Sequence, residues 1–254
     1  MTLARRIIPC LDTDGKRVVK GVQFAGLRDA GDPAALSARY NREGADEVVV
    51  LDIAASRDGR PTFLETIRRV AAELAIPLTA GGGIGTLDEA RAVLRAGADK
   101  VTVNTAAVRR PALISEIADE FGSQAVVLAI DAKREGDGWR VFVRGGHEVT
   151  EVEAVEWARE GVQRGAGEIL LTSIDRDGTG AGFNCELTAA VSCAVCVPVI
   201  ASGGAKSPED FLAVFQEGCA DAALAASIFH DQIQQIGALK EFLAANGVPV
   251  RISR

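Results

Sequence analysis

The sequence matches itself at a nearly constant offset, and this constrains the fold more than any other feature. The stretch "CLDTDGKRVVKG" (10–21) corresponds to "AIDAKREGDGWRVFVRG" (129–145), which sets Asp12 opposite Asp131. "EGADEVVVLDI" (43–53) corresponds to "RGAGEILLTSI" (164–174), and "PLTAGGGIGTLDEARAVLRAGADKV" to "PVIASGGAKSPEDFLAVFQEGCADAA". The offset stays between 119 and 122 residues. A repeat this long in a chain of 254 residues is a duplicated half-domain rather than an array of small units.

What is duplicated is a run of strand and helix signals. Short apolar runs at 6–11, 47–52, 76–80, 100–104, 125–130, 168–173, 197–202 and 222–226 alternate with amphipathic helical patterns at 33–43, 61–74, 86–96, 111–120, 151–164, 184–191, 208–217 and 233–245. Strands apolar on both faces, each followed by a helix, are parallel strands of βα units. Eight such units predict an α/β fold, a (β/α)8 TIM barrel built from two similar half-barrels. An open doubly wound sheet is the alternative, but no G-x-G-x-x-G follows the first strand. Residues 1–254 then form one domain with half-barrels at 1–122 and 123–254, related by a pseudo-twofold axis, and no linker is expected between them.

Composition adds exclusions. Hydrophobic residues at 48% and charged residues at 25% suit a globular chain with ample core. A net charge of −7 argues against a general nucleic-acid binder. It does not argue against a phosphorylated ligand, because backbone N–H groups and helix ends bind phosphate within acidic proteins. The apolar run before Asp12 is too short for a signal peptide and no membrane-length run occurs, so a cytoplasmic protein is expected. The five cysteines lack framework spacing and suit reduced thiols. Cys193 and Cys196, within the apolar "VSCAVCVPV", are expected to be buried structural thiols, with metal or redox use as the alternative.

Barrel active sites form at the C-terminal strand ends. Asp12 ends the first strand and Asp131 the fifth, so two carboxylates face each other across the mouth. An aspartate alone often only caps a loop. A symmetric pair is better suited to divide acid and base work. The glycine stretches end the third and seventh strands, also opposite each other. Each leads into a helix start: Thr86-x-x-Glu89 forms a capping box, and Ser207 precedes Pro208 at a first helical position. Gly83, Asn104 and Thr105 on one side, and Ser202, Gly203, Gly204, Ala226 and Ser227 on the other, offer anion-binding groups. A single Gly-Gly would be only a turn; two on opposite sides imply a ligand with a phosphate at each end.

Further polar residues cluster nearby. Asp175, Asp177, Gly178 and Thr179 follow the sixth strand, and Asp52, Asp58 and Gly59 follow the second. Asp-Gly is also a common turn, so Asp177 could merely shape its loop. The segment 13–32 is long for a βα loop, carries Gly15, Lys16, Arg17, Lys20 and Gly21, and is read as a lid. His147 and His230 have no partners at ligand spacing, so no metal or other cofactor is expected. At the opposite end Arg6, Glu47, Lys100 and Glu168 begin strands. Period-two counting turns Arg6, Lys100 and Glu168 inward. Such charges must pair, either as a plug or as a gate for something small.

Taken together, "RIIPCLD", "GKRVVKG", "LDIAAS", "GGGI", "GADKVTVNTAAV", "FGSQAVVLAIDAKR", "GAGEILLTSIDRDGTGAG", "ASGGA" and "ADAALAASIFH" resemble the cyclase subunit of imidazole glycerol phosphate synthase, a histidine-biosynthesis family. The likeness spans essentially the whole chain. It implies a substrate with two phosphates, a phosphoribulosyl-formimino aminoimidazole carboxamide ribonucleotide, which takes up ammonia and splits into imidazole glycerol phosphate and an aminoimidazole carboxamide ribotide. It implies Asp12 and Asp131 as the acid/base pair and Lys20 on a mobile loop. One phosphate site is implied at Gly83, Asn104 and Thr105, and the other at Asp177, Gly178, Ser202, Gly203, Gly204, Ala226 and Ser227. A separate glutaminase subunit, docked on the bottom face at Asp99 and Gln124, would supply ammonia through a gate of Arg6, Glu47, Lys100 and Glu168.

Two stretches depart from the family pattern. The hairpin "EGDGWRVFVRGGHEVTEVEAVEWA" lacks a Thr-Gly before its helix, and "DGTGAGFNCE" is richer in glycine and alanine. The nearest rival reading is the sister isomerase of the same pathway, which needs no ammonia. A non-catalytic barrel that binds a phosphorylated metabolite is the rival from another class.

Overall fold

The structure, a computed structural model, describes residues 3–14, 17–22, 25–53 and 63–252, with the backbone alone for 20–22 and 25–29. Its strands run in chain order β1 (Arg6–Thr13), β2 (Val18–Val22), β3 (Ala25–Gly31), β4 (Val48–Asp52), β5 (Leu78–Gly81), β6 (Lys100–Val103), β7 (Val126–Glu135), β8 (Gly138–Val143), β9 (Glu148–Glu153), β10 (Glu168–Ser173), β11 (Val199–Ser202) and β12 (Ala222–Ala225). Eight of them close a parallel barrel in the order β1-β4-β5-β6-β7-β10-β11-β12. The ring is joined where Arg6 pairs with Ala222 and where Thr172 pairs with Asp131.

The helices are α1 (Pro33–Arg42), α2 (Leu64–Ala71), α3 (Leu87–Arg95), α4 (Thr105–Arg109), α5 (Ala112–Phe121), α6 (Ala154–Gln163), α7 (Cys185–Ser192), α8 (Pro208–Gln216), α9 (Ser227–His230) and α10 (Ile236–Ala245). Among the described residues no helix is long and apolar enough to cross a membrane.

Alternation along the strands divides the core in two. Ile8, Cys10, Val49, Val127, Leu170, Ile200 and Leu224 fill the barrel interior. Their neighbours Ile7, Leu11, Val48, Val50, Val126, Leu128 and Ile169 point outward and pack under the helices. Both faces of each strand are therefore buried, which explains why the strands read as continuous apolar runs.

A repeated device sets the barrel floor. Asp46, Asp99 and Asp221 each lie just before a strand, and each accepts a hydrogen bond from an N–H at the start of a neighbouring strand: Ile7, Leu78 and Val199, at 2.9, 2.8 and 3.2 Å. The residues two before them turn the chain with positive φ: Gly44 at 86°, Gly97 at 113° and, without the freedom of glycine, Cys219 at 55°.

Three expectations are corrected. The 13–32 segment is not one long loop, because β2 and β3 pair antiparallel within it. The helix expected at 151–164 begins at Ala154, since the residues before it complete β9, which pairs with β8. Cys193 and Cys196 are exposed rather than buried. Helix α7 ends at Ser192, and the apolar letters that follow form the turn into β11 at the surface. Asp58 and Gly59, like Gly15 and Lys16, lie outside the described residues.

Candidate active site

The C-terminal strand ends surround a cavity of about 930 Å³, large enough for an extended small molecule. Asp12 reaches it from β1 and Asp131 from β7, with three barrel strands between them in either direction. A third carboxylate, Asp177, enters from the turn after β10. Burial pushes the Asp12 carboxyl up to about 7, the charge of Asp177 adds to this, and the Cys10 thiol opposes it. Asp131 is likewise raised to about 7 by burial, then by Asp177, against the Asn104 hydrogen bond, with Asp12 adding further. Burial also raises Asp177, while the Gly178 N–H lowers it.

Carboxyls held near neutrality can take or give a proton at working pH. Their partners differ. Asn104 Nδ2 donates to Asp131 Oδ2 at 2.9 Å, whereas Asp12 Oδ1 has the Cys10 Sγ at 3.5 Å. Burial and the charge of Asp12 raise the Cys10 thiol well above its ordinary value, so it stays a thiol.

The glycine stretches form matching turns on opposite walls. Gly82 (φ 102°) and Gly203 (φ 94°) each run so close to the carbonyl that ends the preceding barrel strand that a Cβ would lie 2.3 Å from Asp52 O or 2.8 Å from Ser173 O. Only glycine fits there. Past these turns Thr86 Oγ1 accepts from Glu89 N–H at 3.2 Å and opens α3, as expected of a capping box.

Gly83, Asn104 and Thr105 line the cavity on one side, and Gly178, Thr179, Ser202, Gly203, Gly204, Ala226 and Ser227 on the other. Asp52 is buried and lines it as well. Two hydroxyls already have local roles. Thr105 Oγ1 accepts from the Arg144 N–H at 2.9 Å, and Thr179 Oγ1 donates to Arg176 O at 2.7 Å. Asp175 accepts from the Arg134 N–H at 2.8 Å and does not line the cavity. Lys20 lies in β2, its backbone paired with Arg28, and its side chain lies outside the described residues. His230 ends α9 with Nδ1 2.6 Å from the Tyr40 hydroxyl. Arg39 donates to that hydroxyl at 3.0 Å.

At the floor all four charged residues meet. Arg6 bonds Glu47 at 2.8 Å and also pairs with Glu168; Lys100 bonds Glu47 at 2.9 Å and Glu168 at 2.8 Å. Burial opposes the Arg6 charge, but Glu168 and then Glu47 outweigh it and raise its pKa. Glu47, not counted inward from the sequence, lies on the same strand face as the inward-pointing Val49 and accepts from Thr79 Oγ1 at 2.6 Å. Asp99 and Gln124 are exposed near this end, before β6 and β7.

Sequence reasoning gave Cys10 no role, although it precedes Asp12 by one strand period. It placed Asn104 and Asp177 only among phosphate ligands, because contact between neighbouring strand ends has no local sequence signal.

Comparison with known proteins bears on the whole chain. The family described as "Histidine biosynthesis protein" matches residues 6–235. A protein of Acidobacterium capsulatum named imidazole glycerol phosphate synthase subunit HisF is 60% identical over 250 residues, covering 98% of this chain and 99% of its own. Proteins of the same name from Solibacter usitatus and Myxococcus xanthus are 58% and 57% identical, covering 99% and 98% of this chain and the same shares of their own.

Proposed function

The chain belongs to the histidine biosynthesis protein family, and from that premise we infer that it is the cyclase of an imidazole glycerol phosphate synthase, with Asp12 and Asp131 as its acid/base pair. The observation that carries this assignment is the pair itself: two carboxyls on opposite walls of one cavity, each raised to about 7. Forming a carbon–nitrogen bond from ammonia requires a proton to leave nitrogen and one to reach the departing oxygen. Cleaving the formimino linkage requires a proton on the departing amine. Groups near neutrality on two sides of the substrate can serve both steps without ionising at extreme cost.

The glycine turns at Gly83 and at Gly203–Gly204, with Asn104, Thr105, Ala226 and Ser227, are proposed to hold the two phosphates. Asp52, Asp177, Gly178, Thr179 and Ser202 line the span between and around them, and Lys20 is assigned to the segment over the mouth. The closed ring draws strands from both copies of the repeat, which supports one domain of two half-barrels.

The relatives are each named as a subunit, which supports a complex with a second chain. We assign that partner to a glutaminase docked at the floor, with Asp99 and Gln124 as contacts and Arg6, Glu47, Lys100 and Glu168 as the gate. Above the ring the barrel interior is apolar, lined by Ile8, Val49, Val127 and Leu170. Such a path admits neutral ammonia and disfavours ammonium. A biosynthetic enzyme with five free cysteines suits the cytoplasm.

The test is turnover of the bis-phosphorylated substrate with ammonium salt and no glutaminase, followed by loss of substrate absorbance. Activity that disappears in Asp12→Asn and in Asp131→Asn supports the assignment. Undiminished activity in both variants removes it, and conversion without ammonia points to the sister isomerase instead.

A further inference from the structure

The two glycine turns differ at one position that faces the ligand cavity. Glu89 Oε2 accepts from the Gly85 and Thr86 N–H groups at 2.7 and 3.0 Å, and Asp210 Oδ2 accepts from the Lys206 and Ser207 N–H groups, each at 2.8 Å. The matched hydrogen bonds make Gly85 and Lys206 structural equivalents. Where the first wall offers a hydrogen atom, the second offers a four-carbon stem ending in an ammonium.

Several features direct that ammonium to the ligand. Lys206 lines the cavity together with Gly203 and Gly204. Its stem lies along the loop after β10: a Cβ at Gly180 would come 3.2 Å from its Cδ and 3.6 Å from its Cβ. Its N–H is committed to Asp210, so the side chain is what it has to offer a ligand. The other basic side chains of the cavity wall, Arg109 and Arg110, face Glu148 at 3.7 Å and Glu116. Lys206 forms no ion pair among the described residues, although Asp177 lies across the same turn, its Cα 3.4 Å from a Cβ built at Gly203. An uncommitted ammonium beside a glycine turn is complementary to a phosphate dianion, which takes charge-assisted hydrogen bonds better than neutral ones.

We propose that Lys206 is a substrate-binding residue whose ammonium contacts the phosphate held at the Gly203–Gly204 turn. The cavity then has unequal ends, one with a lysine and one with a glycine at the same place, and the end near β11 captures its phosphate more strongly. This rests on the reading of the turn as a phosphate site.

Three variants separate the two ideas in ammonium-driven steady-state kinetics. Lys206→Gly copies the residue of the first wall, Lys206→Met keeps the stem on Gly180 without the charge, and Lys206→Arg restores a cation. The first two should raise KM roughly five- to tenfold, as expected for one charged contact near a surface, and leave kcat within about twofold. Lys206→Arg should recover most of the lost affinity. The rise of KM with added salt should be shallower in Lys206→Met than in the parent chain, and inhibition by inorganic phosphate should weaken in parallel. Ser227→Ala reports on the turn's phosphate site independently. If Ser227→Ala raises KM while Lys206→Gly and Lys206→Met do not, the lysine proposal is overturned and the phosphate site stands. If none of the three raises KM, both fall. A fall in kcat at constant KM would also overturn a binding role.

Discussion

Asn104 donates a 2.9 Å hydrogen bond to the carboxylate of Asp131, and the repeat gives Asp12 no equivalent. The position matching Asn104 is Ala226, beside β1, and Asp12 has only the weak Cys10 thiol donor at 3.5 Å. The two carboxyls are therefore pseudo-symmetric in place and unequal in partners. A hydrogen bond to the ionised form lowers the pKa of Asp131, while Asp177 raises both carboxyls through its charge. Replacing Asp177 by Asn should move the pH profile of kcat/KM, expressed per free ammonia, to lower pH by on the order of one unit. Replacing Asn104 by Ala should move the limb due to Asp131 to higher pH. A profile unchanged by both substitutions would show that neither carboxyl governs the rate.

The same raised values carry a stability consequence. An unfolded aspartate ionises near 3.8, and Asp131 in the fold near about 7. Between those values the folded chain holds a proton that the unfolded chain has released. Its contribution to stability therefore falls as pH rises through that window and stays low above it. Asp131→Asn removes this loss. Asp131 is half-buried, so solvent screening reduces the effect to about 1–2 kcal/mol, or a few degrees in Tm. The variant should be more stable than the parent at pH 8 and show little gain at pH 4. An equal gain at both would assign the effect to packing.

The barrel was legible because both faces of its strands are buried and because the duplication repeats every βα unit. Asp12 and Asp131 were legible as opposites for the same reason. What escaped sequence reading depends on contacts between distant segments. Glu47 shares the inward face of Val49 and Leu51, but judging its direction from Asp52, an odd number of residues away, hid this, and its partners Thr79, Arg6 and Lys100 come from other strands. Cys193 and Cys196 sit among apolar letters, but where α7 ends fixes their exposure. The pairing of Asn104 with Asp131 joins two neighbouring strand ends with an intervening helix pair in sequence, and no local pattern announces it.

The gate role proposed for the floor ring is tested by comparing two sources of nitrogen. Glu47 is nearly fully buried and bonds Arg6, Lys100 and Thr79 together. Removing Lys100 leaves the two glutamates sharing one cation, and breaking such buried pairs costs about 3–5 kcal/mol. Lys100→Met should lower the Tm and, in complex with a glutaminase, reduce glutamine-driven turnover more than ammonium-driven turnover. Equal reductions in both would make the ring a structural plug and remove its role as a gate.

Gly167 shows how the duplication was modified at the floor. Before β4, β6 and β12 the chain places Asp46, Asp99 and Asp221, whose carboxylates accept an N–H at the start of a neighbouring strand. Before β10 the corresponding residue is Gly167, which has no carboxylate to offer Val126. That N–H is instead accepted by Ser123 O, from the short helical turn ahead of β7. The substituted acceptor occupies the aspartate's space, since a Cβ on Gly167 would lie 2.2 Å from Ser123 O. Gly167→Asp should therefore destabilise the fold even though it restores the repeat, because the new side chain meets rigid backbone. An overpacking cost of roughly 2–3 kcal/mol lowers the Tm by about 4–12 °C. Gly167→Ala should show most of the same loss, because its Cβ already makes the clash. An unchanged Tm in Gly167→Ala would mean that the Ser123–Ala125 turn yields easily and is not what holds the Val126 N–H.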